Sequence, residues 1–476
     1  MIQLRDPFCT AKALLALFFL IGAFSKVCAI DYYVNPTTGN DGNAGTMGSP
    51  WQTVSKILDV LPEVVTTQYR VFLAPGTYTS TGAHGTPSNV LSLDRRMRRE
   101  GGTIDVSCYF IGTGPSFVGD AAPGEVVLDF GSTPLVLING GTWYFQYVQV
   151  GDRSYGNSQQ GFEVYGTDSL VRLRDVRIRT GSLSGSGIIA SRGAAVQLYG
   201  TIEINEDLHE IELASSFAAI TASYNGSVKY RDPGGSLSIG NGTLSALYYG
   251  TIELGCDTAR ITSWNRQSNC LAINDSGRID LHGTTTTLKA QHVDNTLIGL
   301  EDDGHILAEG ADIILKTISG APGRVIMQKA SDFMGGTLQV DGPRGALFST
   351  SSDSAIVCAV SGVVETVVAD TSGYCYLLAN QAPGSTTEMR NGKIDIQISA
   401  SLKSEPLVIE SLSKSHDGNV SLSWNDVSLS YTVEYNTNVQ DGAWGAVGGV
   451  WPSMENSWSN TASPGASRMF YRVKEN

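Results

Sequence analysis

Short apolar stretches alternate with turns rich in Gly, Asn and Asp along most of the chain, and in its middle they repeat. The segments LYYGTIELG (247–255), LAINDSGRIDLHG (271–283) and LIGLEDDGHILAEG (297–310) share a Gly that is followed by one residue and then by Ile. These glycines lie 27 residues apart, twice in succession. A period of about 20 to 30 residues, built from short strands and turns, is typical of a β-solenoid.

The repeats gain stability only when they stack. One short strand pair cannot bury its apolar face alone, whereas coils stacked about 4.8 Å apart let every strand pair above and below. Inward-pointing Ile, Leu and Val then form a continuous core. We therefore predict an all-β fold in which residues 69–403 form roughly 12 to 15 coils of a parallel β-helix.

The segment before the first coil predicts an end cap, assigned to residues 30–68. In SPWQTVSKILDVL (49–61), Ser49 is a suitable N-cap, Pro50 suits the first helical position and Gln52 completes a capping box. The helix would have one apolar face, made of Trp51, Val54, Leu58 and Leu61. Such a helix would cover the open end of the solenoid, which otherwise invites edge-to-edge aggregation.

The loop that precedes this helix contains oxygen-bearing side chains. Asn40, Asp41 and Asn43 could in principle coordinate Ca²⁺. The carboxylates are too few for a tight site, and the glycine spacing indicates turns. We interpret the loop as structural and predict no metal site.

The same N-terminal residues resemble a known family. YYVNPTTGNDGNAGT, SPWQTVSKIL and VFLAPGTY, within residues 32–78, are similar to the start of secreted proteins of the pectate-lyase-like superfamily. The resemblance implies a right-handed parallel β-helix. The superfamily includes lyases, hydrolases, epimerases, phage tail proteins and non-enzymatic adhesins, so the resemblance narrows the fold more than the function.

The pattern changes again in residues 404–476. SLSW and YTVEY alternate as strands do, and aromatic residues are concentrated here: Trp424, Tyr431, Tyr435, Trp444, Trp458, Phe470 and Tyr471. This region resembles the small fibronectin type III-like β-sandwich that ends many exported bacterial proteins.

Residues 1–29 are predicted to be a cleaved signal peptide. A basic start is followed by AKALLALFFLIGAF, an apolar stretch that is too short to span a bilayer. Cys28 raises the alternative of a lipoprotein, but Lys26 and Val27 fit a lipid-attachment sequence poorly. We expect a secreted or cell-surface protein that is not inserted in a membrane, and favour a monomer.

Charge and cysteine content add two expectations. The net charge of −14 argues against a nucleic-acid partner. Five cysteines follow the signal segment, and Cys256–Cys270 and Cys358–Cys375 are the local disulfides to test, with buried free thiols as the alternative. Without a CxxC motif or a Cys/His cluster, zinc is not expected.

Basic clusters are the clearest candidates for binding in this acidic chain. RRMRR contains Arg95, Arg96, Arg98 and Arg99, and VRLRDVRIRT contains Arg172, Arg174, Arg177 and Arg179. In the second cluster, alternation predicts an inward apolar set and an outward Arg set. Because Arg binds carboxylate and sulfate with two hydrogen bonds, an anionic polysaccharide is the expected ligand. The alternative is a solvated face paired with nearby acids.

Catalytic signals are weaker. EDDGH (301–305) brings acids near a His, but its position in the repeat favours a turn. Lys229 and Arg231 are the nearest candidates for the base of a uronate lyase, whose substrate carboxylate Ca²⁺ would neutralise; no other cofactor is expected. We therefore predict a glycan-binding protein without an evident catalytic motif. The alternatives are a polysaccharide lyase or glycoside hydrolase with a divergent site, and a trimeric phage-like fibre.

Overall fold

The chain folds into a long stack of short strands. A computed structural model describes residues 29–79, 91–94, 96–97, 107–129, 135–151, 161–180, 186–205, 218–263, 269–290, 296–318, 321–379, 386–390, 393–398, 409–414, 420–424, 431–436, 445–446, 457–460 and 470–475. The predicted signal peptide lies outside these residues except for its last position.

Strands dominate the described residues. The first eleven are β1 (Ile30–Val34), β2 (Val64–Val65), β3 (Tyr69–Leu73), β4 (Gly76–Tyr78), β5 (Leu91–Leu93), β6 (Arg96–Met97), β7 (Cys108–Gly112), β8 (Val126–Leu128), β9 (Val136–Gln146), β10 (Gln149–Val150) and β11 (Phe162–Ile178). The next eleven are β12 (Ser186–Ser191), β13 (Ala195–Ile204), β14 (Ala218–Ser223), β15 (Ser227–Tyr230), β16 (Ser236–Ile239), β17 (Thr243–Leu247), β18 (Thr251–Leu254), β19 (Thr258–Ser263), β20 (Asn269–Asn274), β21 (Arg278–Leu281) and β22 (Thr285–Ala290). The later coils contain β23 (Thr296–Leu300), β24 (His305–Leu307), β25 (Asp312–Lys316), β26 (Gly323–Met327), β27 (Asp332–Asp341), β28 (Ala346–Thr350), β29 (Ala355–Ser361), β30 (Val364–Asp370), β31 (Tyr374–Ala379), β32 (Thr386–Arg390) and β33 (Lys393–Ile398).

Apart from β2 and β6, these strands form a parallel β-helix, as predicted, and it has three faces. The face that we call the front sheet is one parallel ladder, β1-β3-β7-β9-β11-β13-β15-β18-β21-β24-β27-β29-β31-β33. The second sheet contains β5, β12, β14, β17, β20, β23, β26, β28, β30 and β32, with the first parts of β9 and β11. The third sheet includes β4, β8, β10, β16, β19, β22 and β25, with the ends of β11 and β13.

Alternation places the core inside the coils. In β11, for example, Val171, Leu173, Val176 and Ile178 are at most 1% exposed. Equivalent Ile, Leu and Val residues of every coil continue this core. Each coil therefore buries its inward side chains on the coils above and below it.

The turns between the second and front sheets account for the sequence repeat. Two residues with positive φ precede each of the front strands β13, β15, β18, β21, β24, β27, β29 and β31, at Asp275-Ser276 and Asp302-Asp303 for example. The interpretation of EDDGH as a turn is therefore confirmed. We call the stack of these turns the turn column; its other pairs are Arg192-Gly193, Tyr224-Asn225, Tyr248-Tyr249, Lys329-Ala330, Ser352-Asp353 and Thr371-Ser372.

The end cap exists, but its helix begins later than the capping box predicted. A 3₁₀ turn (Val54–Lys56) leads into α1 (Ile57–Val60), and Thr53 is the N-cap. Residues before it are extended because Trp51 pairs with β1, donating its backbone N–H to Tyr33 and accepting from Asn35. The predicted apolar face is confirmed: Trp51, Val54, Leu58 and Leu61 are all buried.

The NDGNAG loop is bonded to the residues that lead into the helix. The Asp41 carboxylate accepts hydrogen bonds from the backbone N–H groups of Gln52 and Thr53, both at 2.9 Å, and from the Thr53 hydroxyl at 2.7 Å. The Asn43 side chain donates to the Pro50 carbonyl at 2.8 Å. These bonds hold the loop against the helix start, which supports its structural interpretation.

All five described cysteines are buried free thiols, so neither tested disulfide is present. Cys358 and Cys375 are on neighbouring coils, but in register Cys375 pairs with Ile356 and Cys358 pairs with Leu377. Burial raises the pKa of Cys256 to about 11 and that of Cys270 and Cys375 to about 12.

These thiols should be inert while the protein is folded. The thiolate is the reactive form, and both burial and the raised pKa values suppress it at pH 8. We expect Ellman's reagent to leave Cys108, Cys256, Cys270, Cys358 and Cys375 unmodified in the native protein and to modify all five in guanidinium. Rapid reaction of any one of them in the native protein, located by peptide mapping, would contradict this packing.

The C-terminal region forms two antiparallel sheets. Its strands are β34 (Ile409–Lys414), β35 (Val420–Trp424), β36 (Tyr431–Asn436), β37 (Gly445–Ala446), β38 (Ser457–Asn460) and β39 (Phe470–Glu475). One sheet has the order β34-β35-β38 and the other β37-β36-β39. A fibronectin type III-like sandwich remains a prediction.

Candidate functional site

The VRLRDVRIRT cluster is divided by a corner of the coil. Arg172 and Arg174 point outward from the front sheet, whereas Arg177 and Arg179 follow a bend at Asp175 and lie on the third sheet. Asp175 has a φ of 51°, and the register shifts between Arg174 and Val176. The expected outward direction is therefore found, but the four arginines do not share one face.

Aromatic and amide groups hold Arg172 and Arg174. The Arg172 guanidinium lies 4.7 Å from the ring centre of Tyr144 and donates to the Gln197 side chain at 2.8 Å. Arg174 lies 5.4 Å from the ring centre of Tyr199. Among the described residues, no carboxylate is within ion-pair distance of Arg174.

Lys229 and Arg231 lie on the same outward face, two strands further along the front sheet. Gln197 is in register with both Arg172 and Lys229. Two strand spacings therefore separate the two cations, or about 10 Å. We call Arg172, Arg174, Lys229 and Arg231 the cationic face.

Glu253 lies at one edge of the cationic face, on the strand next to Lys229. Its carboxylate lies 3.0 Å from Lys229 Nζ and 3.5 Å from Arg231 Nη1. Burial pushes the pKa of Glu253 up, but the hydrogen bond from Lys229 and the charges of Lys229 and Arg231 outweigh it, so the pKa is lowered. Lys229 thus carries an ion pair on this face.

A pocket of about 320 Å³ lies at the corner beyond Arg174. Its lining includes the carboxylates of Asp120, Asp175 and Glu203 together with Tyr147 and Arg177. Arg177 Nε is 2.6 Å from the Glu203 carboxylate. Burial raises the pKa of Tyr147, and the negative charges of Asp120 and Asp175 raise it further.

Only Arg96 and Met97 of the RRMRR cluster are among the described residues. The backbone of Arg96 belongs to β6, which pairs with β2 in a separate two-stranded sheet. Arg95, Arg98 and Arg99 lie outside the described residues, and whether they contribute to binding stays a prediction.

An acid–histidine cluster lies further along the front sheet. His305 Nδ1 is 3.0 Å from the Asp332 carboxylate, and Nε2 is 3.5 Å from that of Asp303. The Ser276 hydroxyl donates to Asp303 at 3.0 Å. Within the described part of the chain, no group of three or more His, Cys, Asp or Glu residues is arranged to hold a metal ion. There is also no described helix long and apolar enough to cross a bilayer.

Sequence reasoning missed the partners of the arginines. Tyr144, Gln197 and Tyr199 are brought to Arg172 and Arg174 by the register of neighbouring coils. The coils here have unequal lengths, so a fixed period could not have aligned them. The outward aromatic positions of YFQ (144–146) and LYG (198–200) were the available signal.

Comparison with known proteins adds little to this geometry. No protein-family model matches the chain, and no curated protein does. Among solved structures, the chain is similar to a GH136 lacto-N-biosidase from Eubacterium ramulus, with 12% sequence identity and a TM-score of 0.34. The likeness covers 81% of this chain and 70% of that chain. A similarity this distant carries no argument about activity.

Proposed function

We propose that this is an exported β-helix protein that binds an acidic polysaccharide or surface glycan across its cationic face. The observation that carries the proposal is that Arg172 and Arg174 lie side by side on aromatic and amide groups. Arg174 is held on a ring and has no ion-pair partner among the described residues, so it is suited to an external anion, with the guanidinium of Arg172 beside it on the same strand. The overall charge of −14 makes such a local concentration of cations more notable.

The geometry suits an extended ligand. Arg172 and Arg174 are two residues apart on one strand, so their side chains leave the sheet about 7 Å apart. Lys229 and Arg231 repeat this arrangement about 10 Å further along the stack. A polysaccharide that runs across the coils would therefore meet successive cations, and Arg can bind each carboxylate or sulfate with two hydrogen bonds.

The contacts also distinguish the roles of the four cations. Glu253 already neutralises part of the charge of Lys229 and Arg231. Arg174 has no such partner among the described residues. We therefore expect Arg174 to provide most of the affinity, Arg172 to add a second contact on the same strand, and the lysine–arginine pair to extend the surface.

Binding of polygalacturonate and dextran sulfate tests the proposal, with neutral dextran as the ligand control. Each hydrogen bond to a charged group contributes about 1.5 to 3 kcal/mol, so Arg172→Ala and Arg174→Ala should each weaken binding about tenfold or more. Affinity should also fall as salt is added. Isothermal titration calorimetry at two salt concentrations measures both effects.

Arg324→Ala is the matched control, because Arg324 lies on β26 in the second sheet, away from the cationic face. It should bind as the unmodified protein does. Failure of the unmodified protein to bind either polyanion, or full binding by the Arg172→Ala/Arg174→Ala double variant, would refute the proposal.

A glycoside hydrolase is the second candidate, and the carboxylate-lined pocket favours it. Asp120 and Asp175 could provide the paired acids that glycoside hydrolysis uses. Release of reducing ends from polyanion or neutral oligosaccharide, lost in Asp120→Asn or Asp175→Asn, would support this activity. Turnover that survives both substitutions would exclude this pocket as its site.

A further inference from the structure

Three tyrosines of the turn column are exposed to solvent. Tyr224, Tyr248 and Tyr249 have exposed fractions of 54%, 41% and 66%. The rings of Tyr224 and Tyr248 stack with their centres 4.7 Å apart and their planes 11° apart. Large apolar rings gathered at one exposed edge usually mark a contact surface.

The backbone at these tyrosines is unfavourable for them. Their φ angles are 49°, 48° and 63°, in a region that bulky side chains avoid. Three of the other turns place Asp there, at Asp275, Asp302-Asp303 and Asp353, and Asp and Asn tolerate the conformation better. Folding alone would favour such residues at 224, 248 and 249 as well. Strain that is kept at exposed side chains points to a function of the rings.

The surroundings of the rings are polar. The next turn of the column is Asp275-Ser276, whose side chains are much smaller than a tyrosine ring. The face of Tyr248 opposite Tyr224 is therefore directed toward the level of Asp275. Among the described residues, the Asp275 carboxylate has no hydrogen-bond or ion-pair partner. Ser276 and Asp303 continue the polar surface through their mutual hydrogen bond.

We propose that Tyr248, Tyr249 and Asp275 form a binding subsite for a neutral sugar unit. A sugar ring has an apolar C–H face that can lie on a tyrosine, and hydroxyl groups that can donate to a carboxylate. The Asp275 carboxylate, one coil beyond Tyr248, disfavours an anionic ligand on that side of the rings. A quaternary ammonium or lysine cation is less suitable, because parallel stacked rings offer one flat face instead of a cage around the charge.

The subsite is separate from the cationic face and does not depend on the proposed function. Asn225 of the turn column and Lys229 of the cationic face are four residues apart on one coil, about 13 Å along an extended strand. A glycan with both neutral and acidic units could reach both surfaces. Each surface nevertheless makes its own contacts and can be removed alone.

The test uses the full chain and a panel of xylohexaose, cellohexaose, mannohexaose and laminarihexaose, with choline and trilysine as cationic probes. We expect at least one neutral oligosaccharide to bind with a dissociation constant in the millimolar range or tighter and to perturb the tyrosine fluorescence. The Tyr248→Asn/Tyr249→Asn variant should bind it at least tenfold more weakly. Because Asn tolerates positive φ, the melting temperature of this variant should be unchanged or higher.

Ser352→Asn, at an equivalent turn of a distant coil, should leave binding unchanged. An Asp275→Asn variant should also weaken binding, since it replaces the charged acceptor. Absence of binding by all four neutral oligosaccharides, undiminished binding by the tyrosine variant, or binding of choline or trilysine alone would overturn the proposal. Retained polygalacturonate binding by the tyrosine variant would show that the cationic face functions independently.

Discussion

Replacing Trp51 with Ala is expected to lower the free energy of unfolding by about 3 to 5 kcal/mol. Trp51 is 2% exposed and stacks on Tyr32, with ring centres 4.4 Å apart. Its indole N–H donates to the Asn43 carbonyl at 3.0 Å. Removing the side chain therefore leaves a large cavity and breaks the contact between the loop and the capping helix.

The Trp51→Ala variant should also associate with other copies of itself. The cap covers the first coil, where β1 pairs with β3 at the end of the front sheet. An uncovered strand edge pairs readily with other chains. Urea unfolding followed by circular dichroism measures stability, and light scattering measures association. Val60→Ala, in the same end cap at a helix position that is 37% exposed, is the control and should change stability by less than about 1 kcal/mol. Equal effects of the two substitutions would mean that the cap does not stabilise the end.

Gly250→Ala is expected to lower the free energy of unfolding by about 3 kcal/mol, the upper end of the range for overpacking. A Cβ atom at Gly250 would lie 2.0 Å from the carbonyl oxygen of Ala222 in the preceding coil. That atom is backbone within a paired strand, so it cannot move without disturbing the ladder. The preceding coil therefore leaves no room for a side chain at Gly250.

Gly304→Ala provides an internal comparison at an equivalent position of the repeat. A Cβ there would lie 2.9 Å from Ile273 Cγ2 and 3.1 Å from the Ile273 carbonyl oxygen, and the side-chain atom can shift. We expect a loss of about 1 kcal/mol. Thermal unfolding of both variants checks the ranking. If Gly304→Ala were the more destabilising variant, the coils at Gly250 would have to be able to move apart to admit a Cβ atom.

The repeating glycines explain why the sequence predicted the coils so well. Gly250, Gly277 and Gly304 mark positions at which one coil approaches the next, and alternating apolar residues mark the strands between them. Both signals are local, so they can be read along the chain. The helix start was wrong for a non-local reason: Asp41 and β1 hold residues 49–53 extended, and neither contact follows from helical propensity.

The candidate site was predicted from the sequence much less completely than the coils were. The alternation in VRLRDVRIRT correctly predicted the outward arginines, but the bend at Asp175 divides them between two sheets. Lys229 and Arg231 were considered only as possible catalysts, and the register places them on the face of Arg172 and Arg174. The tyrosines at 224, 248 and 249 drew no attention, because their exposure and positive φ are properties of the folded turns.

By itself, the sequence determined the all-β class, the stacked coils, the apolar face of the cap and the turn at EDDGH, because each depends on a short period or on local turn chemistry. Only the tertiary structure decided which outward residues are neighbours. In a parallel stack, residues one coil apart along the chain become adjacent, and bulges and unequal coil lengths set that register. The surfaces proposed for binding are made of such neighbours, so they become visible only when the coils are stacked.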